Sequence, residues 1–176
     1  HAWYACQPGV YKYNMARRTG TFYNPAIFEG KTIRQIAVDP KGNLWFGTQS
    51  LGLFKWDAQR GKDDFEKGLY KISEAKINRQ VNHIAVDAKG WVWVATAEFG
   101  IYVLDSQDDR LVYHFDEKAQ GFERIPEAGV SQVLEYSDSV MVLTTSSSVL
   151  AFNRILRQTR ELLRDDDIYG LIASVE

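Results

Sequence analysis

Laid over one another without a gap, residues 33–57 and 81–105 agree at ten of 25 positions, at a constant offset of 48. Composition alone would give about one or two such matches. The shared residues are Ile36/Ile84, Ala37/Ala85, Val38/Val86, Asp39/Asp87, Lys41/Lys89, Gly42/Gly90, Trp45/Trp93, Thr48/Thr96, Gly52/Gly100 and Asp57/Asp105. A repeat this short cannot enclose a core of its own, so the fold must be a stack of copies. A third, eroded copy begins at Val130. Val133 stands there for the isoleucine, Met141 for the tryptophan, Thr144 for the threonine and Asn153 for the closing aspartate, and both glycines are missing. The chain opens inside another copy, Trp3 to Asn14 matching Trp45 to Asp57 with one residue deleted, and closes with Ile168-Tyr169-Gly170-Leu171 at the start of one more. Both ends fall in mid-repeat, as excision from a longer array would leave them.

Each copy reads as four strands. The first, Ile33 to Val38 or Val81 to Val86, is apolar and β-branched, and runs into Asp39-Pro40-Lys41-Gly42 or Asp87-Ala88-Lys89-Gly90. Those tetrads suit a type I turn, with Asp bonding the backbone from the first place and Gly free to take positive φ at the fourth. The second strand, Leu44-Trp45-Phe46-Gly47-Thr48, is apolar almost without alternation, so both of its faces must be covered. The third runs from Leu53 to Trp56 and from Ile101 to Leu104, and the fourth is clearest at Leu111 to Phe115. Ile155 to Leu163 has helical character, but repeat phase sets a connection between third and fourth strands there.

A period of 48 with four strands per unit predicts an all-β fold of propeller blades, antiparallel sheets packed face to face around a channel. The chain is expected to be a single propeller segment. It divides into a partial blade (1–31), two full blades (32–80 and 81–129), an eroded blade (130–167) and the first strand of the next (168–176). That is about four blades' worth, expected as part of a larger seven-bladed ring. The 176 residues are 45% hydrophobic and 25% charged, and Lys plus Arg (21) nearly balance Asp plus Glu (23) at a formal charge of -2. No basic surplus points to nucleic acid, and no apolar run long enough to cross a bilayer points to membrane contact. Cys6 is the single cysteine, which excludes an internal disulfide and any multi-thiolate metal site.

Trp56-Asp57 hints at a WD repeat, but the other copies end Leu104-Asp105, Tyr13-Asn14 and Phe152-Asn153, with no Gly-His pair ahead of them. The sequence instead resembles the two-component regulator propeller repeat. Its pattern is carried by Ile36-Ala37-Val38-Asp39, Gly42, Leu44-Trp45-Phe46-Gly47-Thr48 and Gly52-Leu53-Phe54, and again by Asp87, Gly90, Val92-Trp93-Val94-Ala95-Thr96 and Gly100-Ile101. The resemblance implies a ligand-sensing segment of a membrane-bound signalling protein, lying in the periplasm or otherwise outside the cytoplasm. A histidine kinase or diguanylate cyclase would be the output, and a small molecule or oligosaccharide the ligand. Further partners would be the remaining blades of the parent propeller or a second copy.

The residues themselves offer little catalytic chemistry. Asp39 and Asp87 are explained by their turns, Trp45 and Trp93 by the core, and Asp165-Asp166-Asp167 by a solvated connection. His1 is terminal and His114 alternates at the outer edge. No Gly-rich phosphate loop or Cys/His cluster is present, so neither cofactor nor metal is expected. What recurs is a polar pair near the start of each inner strand: Arg34 and Gln35, Asn82 and His83, Ser131 and Gln132. The loops that carry Gln49 and, in the next copy, Glu98 and Phe99 should emerge on the same end, with Phe99 able to stack on a sugar ring. These nine residues are the candidate ligand contacts. Two alternatives stay open: a propeller enzyme of lactonase or streptogramin-lyase type, for which the inner columns supply no repeated acid, and a protein-docking scaffold.

Overall fold

In the computed structural model, which describes residues 1–73 and 77–165, both Asp-x-x-Gly tetrads close tight turns. Gly42 N–H donates to Asp39 O at 2.9 Å and Gly90 N–H to Asp87 O at 2.8 Å. The aspartate side chains do more than cap these turns. Asp39 Oδ1 accepts from the backbone of Lys41 and Asn43, while Oδ2 accepts the indole N–H of Trp45 at 3.1 Å. Asp87 repeats the arrangement, with Oδ1 on the Lys89 and Trp91 amides and Oδ2 on the Trp93 indole at 2.8 Å. A six-residue spacing between Asp and Trp therefore pins a buried ring to the turn that precedes its strand, and supplies the polar partner that a buried indole N–H requires.

The strands that follow assemble into separate antiparallel sheets. Sheet 1 holds β1 (Ala2–Ala5), β2 (Val10–Asn14) and β3 (Thr19–Tyr23), in that order. Sheet 2 holds β4 (Ile33–Val38), β5 (Leu44–Thr48), β6 (Leu53–Trp56) and β7 (Leu69–Lys71). Sheet 3 is β8 (Val81–Val86), β9 (Trp91–Thr96), β10 (Ile101–Asp105) and β11 (Leu111–Phe115). Sheet 4 is β12 (Val130–Ser137), β13 (Val140–Thr145), β14 (Ser148–Asn153) and β15 (Gln158–Arg164). These are propeller blades, three strands in the first and four in each of the others. The strand expected at 168–176 and the last two acids of the 165–167 run lie outside the described residues. No helix forms at Ile155 to Leu163, where Asn153 Oδ1 caps a turn through the amides of Ile155 and Leu156 and β15 then begins.

Pairing corrects the alignment of the eroded blade. Ala37 lies opposite Trp45 and Ala85 opposite Trp93, whereas Leu134 lies opposite Val142. Val142, not Met141, therefore occupies the tryptophan position. Thr145, opposite Val130 as Thr48 is opposite Ile33, takes the threonine position expected of Thr144. The single deletion falls later, in the turn between β13 and β14. In the intact blades Thr48 Oγ1 and Thr96 Oγ1 each donate to a glycine carbonyl four residues on, at 2.9 Å. Thr145 reaches only three residues, to Ser148 O at 3.5 Å. Gly52 and Gly100 are required at that turn: φ is +83° and +70°, and a Cβ would come within 1.8 Å of Ile77 O and Phe115 O respectively.

Three cores form between the blades. Val10, Phe28, Leu44, Phe46, Phe54 and Trp56 fill the junction of blades 1 and 2, and Phe65, on the one-turn helix α1 (Phe65–Gly68), stacks on Tyr23 at 4.3 Å within it. Trp45, Leu53, Val92, Val94 and Leu104 fill the next, and Trp93, Ile101, Met141, Leu143 and Phe152 the last. All five residues of β5 are buried, which meets the demand its unbroken apolar run makes for cover on both faces.

Two junctions also carry a buried cation. Lys55 Nζ sits 4.7 Å from the Trp45 ring centroid and donates to Ser106 O and Asp109 of the next blade at 2.8 and 2.6 Å. Arg154 reaches back from blade 4 to Asp87 of blade 3 at 2.5 Å, pairs within its own blade with Glu135 at 2.7 Å, and also donates to the carbonyls of Ser137 and Asp138. Tyr136 stands where blades 2 and 3 carry their turn aspartate, so Arg154 holds together a turn that has lost its own clamp. Asp87→Ala would leave this guanidinium without its buried partner and remove the indole bond, and should destabilise the protein by about 3–5 kcal/mol. Arg154→Met leaves Asp87 its three N–H donors and should cost about 1–2 kcal/mol. Urea denaturation of both variants checks the order, and a larger loss for Arg154→Met would contradict it.

Candidate functional site

Each inner strand starts with an irregularity at the column singled out above. Ile33 pairs with Thr48 and Gln35 with Gly47, so Arg34 is an extra residue with no partner of its own. Asn82 is extra between the pairs Val81/Thr96 and His83/Ala95, and Ser131 between Val130/Thr145 and Gln132/Thr144. A β-bulge of this kind turns a side chain out of the ladder and is common beside binding sites. Because β4, β8 and β12 lie alongside one another, the three bulges meet at one end of the array. The loops between second and third strands emerge there too: Gln49 N–H donates to Thr32 O at 3.0 Å and Ala97 N–H to Gln80 O at 3.2 Å.

The nine candidates differ in what they have left to offer a ligand. Asn82 spends its amide on structure, donating from Nδ2 to Val130 O of the next blade at 2.9 Å and accepting from Gln80 Nε2 at 2.8 Å. Ser131 Oγ bonds to Thr144 O at 3.2 Å and lies 3.0 Å from Thr144 Oγ1. Gln132 is engaged as well. Arg34 is exposed and Gln35 half-buried, and neither makes a side-chain hydrogen bond with a described residue. Gln49 and Glu98 are exposed, and Phe99 is 38% exposed.

His83 is half-buried, and its Nδ1 is enclosed without a hydrogen-bond partner among the described residues. Burial pushes its pKa down from the ordinary value, against a weaker opposing effect of the Val133 backbone, so the ring is neutral at pH 7. The described contacts also show what the sequence did not. His114 stacks on Tyr102 at 4.1 Å between ring centroids, and its Nε2 lies 2.9 Å from Phe99 O. This outer-strand residue, read from sequence only as an edge position, thus steadies the Phe99 loop. Glu127 is held by the hydroxyls of Ser146 and Ser147, which fix the corresponding loop of blade 4. Their long sequence separation hid this contact.

The opposite end has a cleft of about 490 Å³ between blades 2 and 3, walled by Lys55, Asp57, Tyr70 and Asp109. Its floor is already paired: Asp109 accepts from Lys55 through Oδ1 and from the Tyr70 hydroxyl through Oδ2, at 2.6 and 2.7 Å. Burial and that carboxylate raise the Tyr70 pKa. The charged floor of the cleft is spent in joining the two blades, whereas the bulged end presents unspent donors. No group of three or more His, Cys, Asp or Glu among the described residues could hold a metal ion.

The depressed pKa of His83 has a sign that can be checked. Below the unfolded value of about 6.5 the unfolded chain takes up a proton that the folded chain resists, so stability from this site is complete above that pH and falls as pH drops through it. His83→Gln, which installs the residue found in the same column at 35 and 132, should flatten the fall in urea midpoint between about pH 7 and 5. An unchanged slope would show that His83 is not the titrating group.

Comparison with known proteins agrees with this geometry. Among solved structures, the extracellular domain of BT3049 from B. thetaiotaomicron, assigned as a hybrid two-component system, superposes with a TM-score of 0.69 at 15% identity, over 92% of this chain and 23% of its own. The extracellular domain of BT4673 from the same organism gives 0.68 at 18% identity, over 93% and 23%. PorZ of Porphyromonas gingivalis, a surface component of the type-IX secretion system, gives 0.62 at 18%, over 84% and 22%. The chain thus spans less than a quarter of the length of each. At these identities the likeness is one of fold. No curated protein matches in sequence, and no helix among the described residues is long and apolar enough to cross a membrane. The model of one repeat family does match, over residues 27–50, the stretch that contains the bulge of β4, the clamp of Asp39 and the strand of Trp45. That model is the two-component regulator propeller repeat, which the chain resembles over these residues.

Proposed function

We propose that this chain is a non-catalytic, ligand-recognising arc of a sensor propeller that lies outside the cytoplasm, in the periplasm of a membrane-anchored signalling protein. A histidine kinase or diguanylate cyclase is its output, and the ligand is a small molecule or oligosaccharide. The observation that carries the reading is the bulge repeated at Arg34, Asn82 and Ser131, which places polar side chains at one end of three adjacent inner strands. Arg34 and Gln35 keep their hydrogen-bonding capacity there, and Phe99 offers a ring face for stacking. The columns carry no repeated acid or base pair of the kind that hydrolysis or elimination needs. The extracellular two-component domains of the same fold support the sensing role.

A thermal-shift screen of oligosaccharides and small metabolites, followed by calorimetric titration of each hit, tests the reading. Arg34→Ala combined with His83→Ala should weaken a true ligand at least about tenfold, while leaving the far-UV circular dichroism unchanged. Unaltered affinity in that variant would remove the site, and turnover of a lactone or glycan would favour the enzyme alternative.

A further inference from the structure

Charge at the bulged end is set by residues that keep step with the blades. Lys31 and Arg79 stand at the same place in successive copies, two residues ahead of the inner strand, and Arg34 follows Lys31 as the bulge of β4. All three are exposed, and among the described residues none of them forms an ion pair or a side-chain hydrogen bond. Neither column holds an acid, the other members being Ala128, Asn82 and Ser131. The chain as a whole carries a formal charge of -2, so a general basic surplus does not account for free cations in this one place.

The backbone beneath these side chains is fixed. Lys31 N–H donates to Phe28 O at 2.8 Å, Thr32 O accepts from Gln49 N–H at 3.0 Å, and Ile33 N–H donates to Cys6 O at 3.2 Å. Gln80 O, next to Arg79, accepts from Ala97 N–H at 3.2 Å. Blades 2 and 3 also meet closely here: a Cβ added to Gly47, the partner of Gln35, would come within 2.6 Å of Val81 Cγ1 at the start of β8. The three cations are thus rooted in one rigid rim while their heads remain in water. Carboxylates at this end do not neutralise them. Glu127 is taken up by the hydroxyls of Ser146 and Ser147 in blade 4, and Glu29 and Glu98 are exposed without an ion pair among the described residues.

A guanidinium presents a planar fork of donors that matches the oxygens of a carboxylate or sulfate, and such charge-assisted pairs are stronger than bonds to a neutral hydroxyl. Gln35 adds a neutral amide for sugar hydroxyls, and Phe99 a ring face for the apolar side of a pyranose. We propose that the ligand of the bulged end is an acidic oligosaccharide, one whose sugars carry carboxylate or sulfate groups. Arg34 selects the acidic group, and Lys31 and Arg79 add to the attraction. The inference rests on the reading of this end as the ligand site, and narrows its ligand to charged saccharides.

Calorimetric titration of the 176-residue chain with trigalacturonate, a sulfated chondroitin disaccharide and neutral galactotriose tests this. At least one acidic probe should bind about tenfold or more tighter than galactotriose, and more weakly as sodium chloride is raised. Binding of trigalacturonate alone marks carboxylate as the group recognised, and of the disaccharide alone sulfate. Arg34→Gln keeps hydrogen-bonding capacity without the charge and should abolish the preference for acid, with circular dichroism unchanged. Lys89→Gln, in the turn at the opposite end, should leave the preference intact. Galactotriose binding as tightly as the acidic probes would overturn the acidic specificity while upholding the ligand site. Failure of all three probes would overturn the inference, and the ligand site falls with it only when the wider screen is also empty. A preference for acid that survives Arg34→Gln would reflect general attraction to the protein's cations, and would overturn the inference as well.

Discussion

A strand that is apolar on both faces cannot be satisfied by its own sheet. Leu44 to Thr48 and Val92 to Thr96 are such strands, and every larger feature follows from covering them. Trp45 is buried against blade 3 while Phe46, the next residue, is buried against blade 1. The chain is therefore a series of sheets that share cores, rather than a set of independent units joined by loops. Stability in such an array is a sum of small sheet terms and larger junction terms. The aromatic cluster of Trp3, Tyr23, Trp56 and Phe65, with ring centroids 4.3 to 6.0 Å apart, is one such junction term.

Much of this is legible from spacing alone. An offset of 48 fixed by ten identities announces repeated sheets, and the unbroken apolar second strand announces that they stack. The link between Asp and Trp was less visible. Each residue had a sufficient explanation by itself, the turn for Asp39 and the core for Trp45, and only the coordinates join Oδ2 to the indole. The eroded blade misled for the same reason. Without Asp and Gly to mark the first turn, nothing in the sequence fixed the phase of β13, and pairing gives the tryptophan's place to Val142 rather than Met141. Arg154 has no counterpart in the other copies, so its bond to Asp87 across 67 residues was beyond any repeat-based reading.

The candidate site was legible as a pattern and not as chemistry. Two adjacent polar columns at the inner strands were plain in the sequence, but not that the first column is bulged in each of blades 2 to 4, since a bulge is a property of pairing. Nor did residue type tell spent from free. Asn82 and Ser131 look as suited to a ligand as Gln35, yet both are tied to neighbouring backbone. Half-buried His83 and solvent-facing Arg34 are left as the more discriminating pair.

The claim that blades depend on their neighbours is most directly tested by native-state hydrogen exchange on Phe152→Ala. Phe152 belongs to blade 4 and packs on Trp93 and Phe115 of blade 3, at ring distances of 6.0 and 4.9 Å. Shared cores predict that amides of β9 and β10 in blade 3 lose protection at least about tenfold, alongside those of blade 4 itself. Loss confined to blade 4, with blade 3 exchanging as before, would mean that each sheet holds itself together, and would contradict the account.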